Sequence, residues 1–233
     1  EAGVPFVLVT GRPPRWVPPI VEQLGHAGLA VCANGAVLYD AVTDRVRSAV
    51  TLDPLQLRDA AGAVATALPR AKLAVELPGT SAAEELFLAE PNYTHPWPGG
   101  DSEAVPRDEL LGRPAIKLLV RLAGASSDAM ASALREVLGG ALDVTFSTGH
   151  GLVEVSAPGV TKGSGLATVA TELGVEAGEV VAFGDMPNDL AMLAWAGCGV
   201  AMANAHPAVL DTCDEVTAPN GEDGLALVLE RWF

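Results

Sequence analysis

The chain has 233 residues, 49% of them hydrophobic, which is enough for one large domain or a core with an insertion. Its 29 acidic against 14 basic residues leave a formal charge of −15, which opposes binding to nucleic acid or anionic membranes, since both select basic surfaces. No apolar run approaches the ~18 residues of a membrane span, and Cys32, Cys198 and Cys213 are widely spaced without metal-type pairing, as expected of reduced cytoplasmic thiols.

Val4–Val9 is an apolar run that reads as a buried strand. It ends in Thr10-Gly11-Arg12-Pro13. A hydroxyl, a glycine amide and a guanidinium at one strand end suit a phosphate, although Gly-Arg-Pro also reads as a plain turn. Pro18-Pro19 suit the first turn of a helix running to about His26. Leu29–Ala33 reads as a second strand, and Asn34-Gly35 is a hairpin signal that returns the chain as Ala36–Tyr39.

The middle of the chain changes character. Asp53–Leu68 is an alanine-rich helix pattern with Asp53 as N-cap and Pro54 at the first helical position. Lys72–Leu77, Ala115–Leu122, Leu142–Ser147 and Leu152–Ser156 read as strands, and Ser126 or Ser127 caps a helix that ends before Gly139-Gly140. Strands mixed with two helices between about Val50 and Pro158 suggest an α+β sheet domain with its helices on one face. Within it, Glu90–Pro106 reads as a long loop, a place where function concentrates, and it carries His95 and Trp97. Lys117 lies in a strand of this region and either faces a ligand or covers the sheet with its stem.

Pro158-Gly159-Val160-Thr161-Lys162-Gly163 precedes a helical stretch, Ser164–Leu173. A lysine at a helix start opposes the macrodipole. A nearby anion would account for it, and so would plain solvent exposure. Val180–Phe183 reads as a buried parallel strand, followed by Gly184-Asp185-Met186-Pro187-Asn188-Asp189 and a helical Leu190–Ala194. An acidic turn outside the carboxyl end of such a strand is where open α/β sheets place their ligands. Asp185 could hold a divalent cation, with Asn188 and Asp189 orienting the ligands around it. The plain alternative is a solvated turn with Asn188 as helix N-cap. A further strand is expected near Cys198–Ala201. His26, His150 and His206 show no ligand spacing and read as solvated.

Taken in order, Thr10-Gly11-Arg12, Lys162-Gly163 and Gly184-Asp185-x-x-Asn188-Asp189 resemble the haloacid dehalogenase-like (HAD) superfamily, and within it the Cof-type sugar-phosphatase group. Asn34-Gly35-Ala36, Gly199–Ala205 and Gly221-Glu222-Asp223-Gly224 match that group's pattern as well, so the resemblance covers nearly the whole chain. It implies an α/β fold: a Rossmann-like parallel-sheet core from residues 1–49 and 159–233, with an inserted α+β cap at 50–158 that selects the substrate. It implies Mg²⁺-dependent hydrolysis of phosphate monoesters of small metabolites, sugar phosphates above all. Thr10, Lys162 and Asp185 would be catalytic. Thr10, Gly11, Arg12, Asn34, Lys162 and Asn188 would bind phosphate or substrate, with Asp185 on the metal and Asp189 behind it. Arg12 would contact substrate or only pin its turn, and Asn34 would orient the site loop or only form a turn. His95, Trp97 and Lys117 are the cap residues that would meet the substrate.

One element of the family pattern is absent from these residues. The Asp-x-Asp-Gly-Thr motif on the first core strand, which carries the nucleophile and the general acid/base, does not occur. The expectation is that about 30 residues, one strand-plus-helix unit, precede Glu1, and that the 233 residues alone lack the nucleophile and are inactive. The strands ending at Thr10 and Phe183 would then run parallel about 9–10 Å apart, one strand width open between them. The rival is a non-catalytic phosphate-binding or regulatory protein of the same fold. A narrow glycosyl-phosphate phosphatase is the enzymatic alternative.

Overall fold

The computed structural model describes residues 3–84, 86–97 and 102–232. The chain begins with β1 (Leu8–Val9), α1 (Pro18–Leu24), β2 (Leu29–Cys32), β3 (Val37–Asp40) and β4 (Arg45–Ala49), which form a sheet in the order β1-β2-β3-β4. β1 is parallel to β2, and the next two pairings are antiparallel. The first strand is shorter than the apolar run Val4–Val9 suggests. Pro5 has no amide proton for a ladder, and Val4 and Phe6 are exposed.

The β2–β3 connection is a single turn of 3₁₀ helix at Ala33–Gly35, with Ala33, Asn34 and Gly35 all at positive φ. Gly35 has φ +102, and a Cβ there would run into the carbonyl oxygen of Thr161. Only glycine allows both the conformation and the approach.

Next come α2 (Pro54–Ala67), β5 (Lys72–Glu76), β6 (Phe87–Ala89), β7 (Glu103–Ala104), α3 (Arg107–Leu110), β8 (Lys117–Arg121), α4 (Ser127–Leu138), β9 (Asp143–Thr145) and β10 (Leu152–Ser156). They build a six-stranded sheet in the order β7-β6-β5-β8-β10-β9, antiparallel except for β6-β7. Asp53 caps α2 with a full capping box, and Ser126 caps α4. The stretch expected as a long loop, 90–106, contains β7, while residues 98–101 lie outside the described residues.

Side chains alternate across this sheet with period two. Leu73, Val75, Leu118, Val120, Val153 and Val155 join Leu57, Val64, Met130 and Leu134 of α2 and α4 in one apolar core. The opposite face carries Ala74, Leu119 and Leu152 beside Phe87, Tyr93 and Trp97. By the same parity Glu76, Lys117 and Glu154 belong to that second face.

The chain then returns through α5 (Lys162–Leu173), β11 (Val181–Gly184), α6 (Leu190–Trp195), β12 (Cys198–Met202), α7 (Pro207–Leu210), β13 (Glu215–Thr217) and α8 (Gly224–Leu229). β11, β12 and β13 form a parallel sheet. Among the described residues β1 pairs with β2 and β11 with β12, each in parallel, so β1 and β11 are edge strands of two separate sheets. Val7 and Val9 nonetheless pack into the apolar cluster of Leu166, Ala182 and Ala201, which joins the two halves. The molecule is thus an α/β fold with parallel core sheets and an α+β unit inserted between β4 and α5. Among the described residues no helix is long and apolar enough to cross a membrane.

Candidate functional site

A cleft of about 430 Å³ opens between the six-stranded sheet and the carboxyl ends of β1 and β11. Thr10, Gly11, Arg12, Lys162, Asp185, Asn188 and Asp189 all line it, and so do Lys117 and Trp97. Four basic side chains (Arg12, Arg15, Lys117, Lys162) face four carboxylates (Glu76, Glu154, Asp185, Asp189) around this space. The cleft is therefore formally neutral in a chain of charge −15.

Thr10 sits where β1 ends, its amide donating to the Val31 carbonyl at 2.8 Å. Its Oγ1 accepts the Arg12 amide at 3.0 Å. The Thr10 carbonyl accepts from the Asn34 amide and the Arg12 carbonyl from the Ala33 amide, at 3.1 and 2.9 Å. These bonds fold the Thr10–Arg12 turn against the Ala33–Gly35 turn. Arg12 itself is exposed, its guanidinium 5.0 Å from the Trp16 ring centroid, a cation–π stack.

Asn34 is no mere turn residue. It is 3% exposed, its Nδ2 donates to Glu154 Oε2 and its Oδ1 accepts from Asn188 Nδ2, both at 3.0 Å. Asn188 therefore does not cap α6. It lies within a 3₁₀ turn, Pro187–Asp189, and its side chain reaches across to β2's end.

Thr161 caps α5 in a capping box with Ser164, and that cap sets Lys162 at the first helical position. Lys162 is 8% exposed rather than solvated, with Nζ 2.5 Å from Asp189 Oδ1. The unfavourable helix-start position is offset by a buried carboxylate. Asp189 uses its other oxygen to accept the amides of Asp185 and Met186 at 2.9 and 3.0 Å. Both of its oxygens are thus engaged in holding Lys162 and the acidic turn. Asp185 projects its carboxylate at the cleft, Oδ2 accepting from Asn220 Nδ2 at 2.8 Å, while its carbonyl accepts from the His206 amide.

Arg15, Glu76, Glu154 and Asn220 escaped the sequence reading, whereas Lys117 had been singled out. Arg15 makes a two-pronged ion pair with Glu76 of β5, and Lys117 pairs with Glu154 of β10 while also donating to the Gly11 carbonyl at 2.7 Å. A signal was present for Glu154, a lone charge between Val153 and Val155, which demands a buried partner. Asn220 gave none beyond an ordinary Asn-Gly turn. His206, read as solvated, instead meets Asp128 of α4 at 3.2 Å and packs edge-on to Phe146. His95 and Trp97 join Phe87 and Tyr93 in an aromatic cluster beside the cleft, and Trp97 packs edge-on to Trp16. Burial, opposed by Arg15, is the main influence on Glu76 and pushes its carboxyl up.

Mg²⁺ takes oxygen ligands and is held through one or two carboxylates together with phosphate oxygens and water. Asp185 supplies one carboxylate, and Asn188 Oδ1, on the same cleft, is a buried oxygen with no hydrogen-bond partner. The oxygen chemistry fits Mg²⁺ as part of a donor set. No group of three His, Cys, Asp or Glu side chains able to hold a metal occurs among the described residues.

A model of the haloacid dehalogenase-like hydrolases matches residues 1–229. A 5-amino-6-(5-phospho-D-ribitylamino)uracil phosphatase of Bacillus subtilis is 45% identical over 80 residues, 34% of this chain and 32% of that protein. The chain's matches span about a third of the length of the first such curated relatives. A phosphoglycolate phosphatase of Methanothermobacter thermautotrophicus is 26% identical over 234 residues, covering 100% of this chain and 85% of its own length. Among solved structures, a HAD subclass IIB sugar phosphatase superposes with a TM-score of 0.78 at 19% identity, covering 99% of this chain and 86% of that one. A haloacid dehalogenase-like hydrolase from B. subtilis gives 0.79 at 23% identity, with 99% and 88% covered. At those identities the two structures speak for the fold, and the match over residues 1–229 for the lineage: the chain belongs to the haloacid dehalogenase-like hydrolases.

Proposed function

We propose that this protein hydrolyses phosphate monoesters of small polyhydroxylated metabolites, sugar phosphates in the first place, with Mg²⁺. The observation that carries this reading is the convergence of Thr10, Lys162 and Asp185, from three separate segments, on one formally neutral cleft in a strongly acidic chain. Thr10 Oγ1 and the Gly11 amide would donate to phosphoryl oxygens. The Lys162 ammonium would neutralise charge that grows in the transition state. Asp185, with the unpartnered Asn188 oxygen on the same cleft, would hold the Mg²⁺, which supplies Lewis-acid stabilisation of the phosphoryl group when bound. Asp189 would position Lys162 and the acidic turn rather than touch substrate.

In this reading residues 50–158 act as a cap over a core of residues 1–49 and 159–233. The reaction would pass through a covalent aspartyl-phosphate, which splits one difficult step into two easier ones. The B. subtilis relative named for a ribityl phosphate and the structural neighbour named as a sugar phosphatase both favour a hydroxyl-rich leaving group.

The test is phosphate release by the protein from an aryl phosphate and a panel of sugar phosphates, with Mg²⁺ and with chelator. Turnover that stops in chelator supports the reading. Undiminished turnover in chelator would remove the metal assignment. Binding of phosphate without turnover of any monoester would favour the non-catalytic alternative.

A further inference from the structure

Lys117 and Glu154 sit on neighbouring antiparallel strands of the cap, on the sheet face turned to the cleft, and each is 4% exposed. Charges buried that deeply require partners. Lys117 Nζ has two, the Glu154 carboxylate and the carbonyl oxygen of Gly11 at 2.7 Å. Glu154 has a second as well, the Asn34 amide at 3.0 Å, and Asn34 in turn receives Asn188. The cap pair thus ends on the backbone of the phosphate turn at one side and on the acidic turn's neighbour at the other.

The contact with Gly11 has a particular consequence. The Gly11 carbonyl and the Arg12 amide belong to one planar peptide unit. Its oxygen is held by Lys117 from the cap, and its N–H is held by Thr10 Oγ1 at 3.0 Å in the core. A hydroxyl that accepts this N–H keeps its own proton to donate outward. Yet the unit follows a glycine, and a glycine is needed there, because a Cβ on Gly11 would stand 2.7 Å from Asn34 Oδ1. The residue that close packing demands is the one whose backbone is least restrained. Without a hold on its oxygen, this peptide keeps a single bond of its own, from the Arg12 N–H to Thr10 Oγ1.

We propose that Lys117 is a positioning residue: its ammonium, held by Glu154, fixes the Gly11–Arg12 peptide and so sets the Thr10 hydroxyl as a donor to the phosphoryl group. This inference rests on the phosphate-site reading above and adds a residue and a coupling to it.

The test compares wild type with Lys117→Met and with the double variant Lys117→Met/Glu154→Gln. The double variant removes both buried charges together, the change that folded proteins tolerate best, and leaves a Gln oxygen for Asn34. Amide exchange and ¹⁵N–¹H resonances are read at Gly11 and Arg12, with Asp185 and Met186, whose amides Asp189 holds independently, as internal controls. The expected result is at least tenfold faster exchange of the Arg12 amide and shifted Gly11 and Arg12 resonances, with the controls unchanged. Inorganic phosphate should bind about tenfold more weakly, and Thr10→Val should add little to that loss in the double variant. A folded double variant whose Arg12 exchange and resonances match wild type overturns the proposal. If wild type itself does not bind inorganic phosphate, the phosphate reading fails, while the exchange comparison still decides the coupling.

Discussion

At the scale of single residues, the site is organised around polar groups that the fold has buried and paired. Lys162 and Asp189 form the buried ion pair that ties the start of α5 to the acidic turn, while Asp185 is left facing the cleft. Lys162→Met and Asp185→Asn should each lower kcat by about 100-fold or more, the range seen when a preorganised electrostatic group is removed. KM for an aryl phosphate should change far less, because the lost charge is needed most in the transition state. A rise in KM at unchanged kcat would mean that these groups only bind.

Cys32 makes a contrasting case, since it is fully buried and burial pushes its thiol from 9.0 up to about 12, against a smaller opposing pull from Lys117. Its folded value lies above its unfolded one. The stability it contributes is therefore fully present below about pH 9 and is lost as pH rises toward 12. At pH 8 iodoacetamide should leave Cys32 unmodified in the native protein and alkylate it in urea, as mass spectrometry of the digest would reveal. Rapid native labelling would contradict the burial.

At the scale of elements, the sequence was informative wherever local chemistry decides the outcome. Asp53-Pro54 announced the start of α2, and the structure has its capping box. Asp53→Ala should therefore cost about 1 kcal/mol, measurable as a shift in the urea midpoint at unchanged slope. The residue feeds no cleft contact, so activity per folded molecule should hold. Thr161→Ala removes the equivalent cap from α5, but it also loosens Lys162 and should lower both stability and kcat. Elements set by tertiary context were less legible. β4 (Arg45–Ala49) is largely exposed and carries two arginines, so its alternation gives no apolar face to recognise. β1 shrank to two residues because Pro5 and the exposed Val4 and Phe6 could not be told from a buried run by hydropathy alone. The candidate site divides the same way. The Thr10, Lys162 and Asp185 segments stand out as motifs, whereas Arg15 and Glu76 acquire meaning only in the folded chain and Glu154 shows in the sequence only as a lone charge between valines.

At the scale of the whole molecule, the inserted sheet meets the core through polar bridges at three points around the cleft. These are Arg15 with Glu76, Lys117 with Gly11, and Glu154 with Asn34. The aromatic side chains Trp16, Phe87 and Trp97 also line the cleft, with Trp97 packed edge-on to Trp16 as an aromatic wall. A leaving group would meet that wall, while the phosphoryl group meets the core. Trp97→Ala should thus reorder the ranking of sugar phosphates by kcat/KM while leaving a small aryl phosphate comparatively unaffected. Uniform loss across the panel would argue that Trp97 only supports the fold.

The central claim is that three separate segments make one phosphate site, and the most direct measurement is a crystal structure of the protein grown with Mg²⁺ and tungstate. Tungstate is a heavy phosphate analogue that can be located unambiguously. The account predicts the anion within hydrogen-bond reach of Thr10 Oγ1, the Gly11 amide and Lys162 Nζ, with Mg²⁺ bound by Asp185. An anion found only elsewhere on the surface, with this cleft empty of both ions, would contradict it.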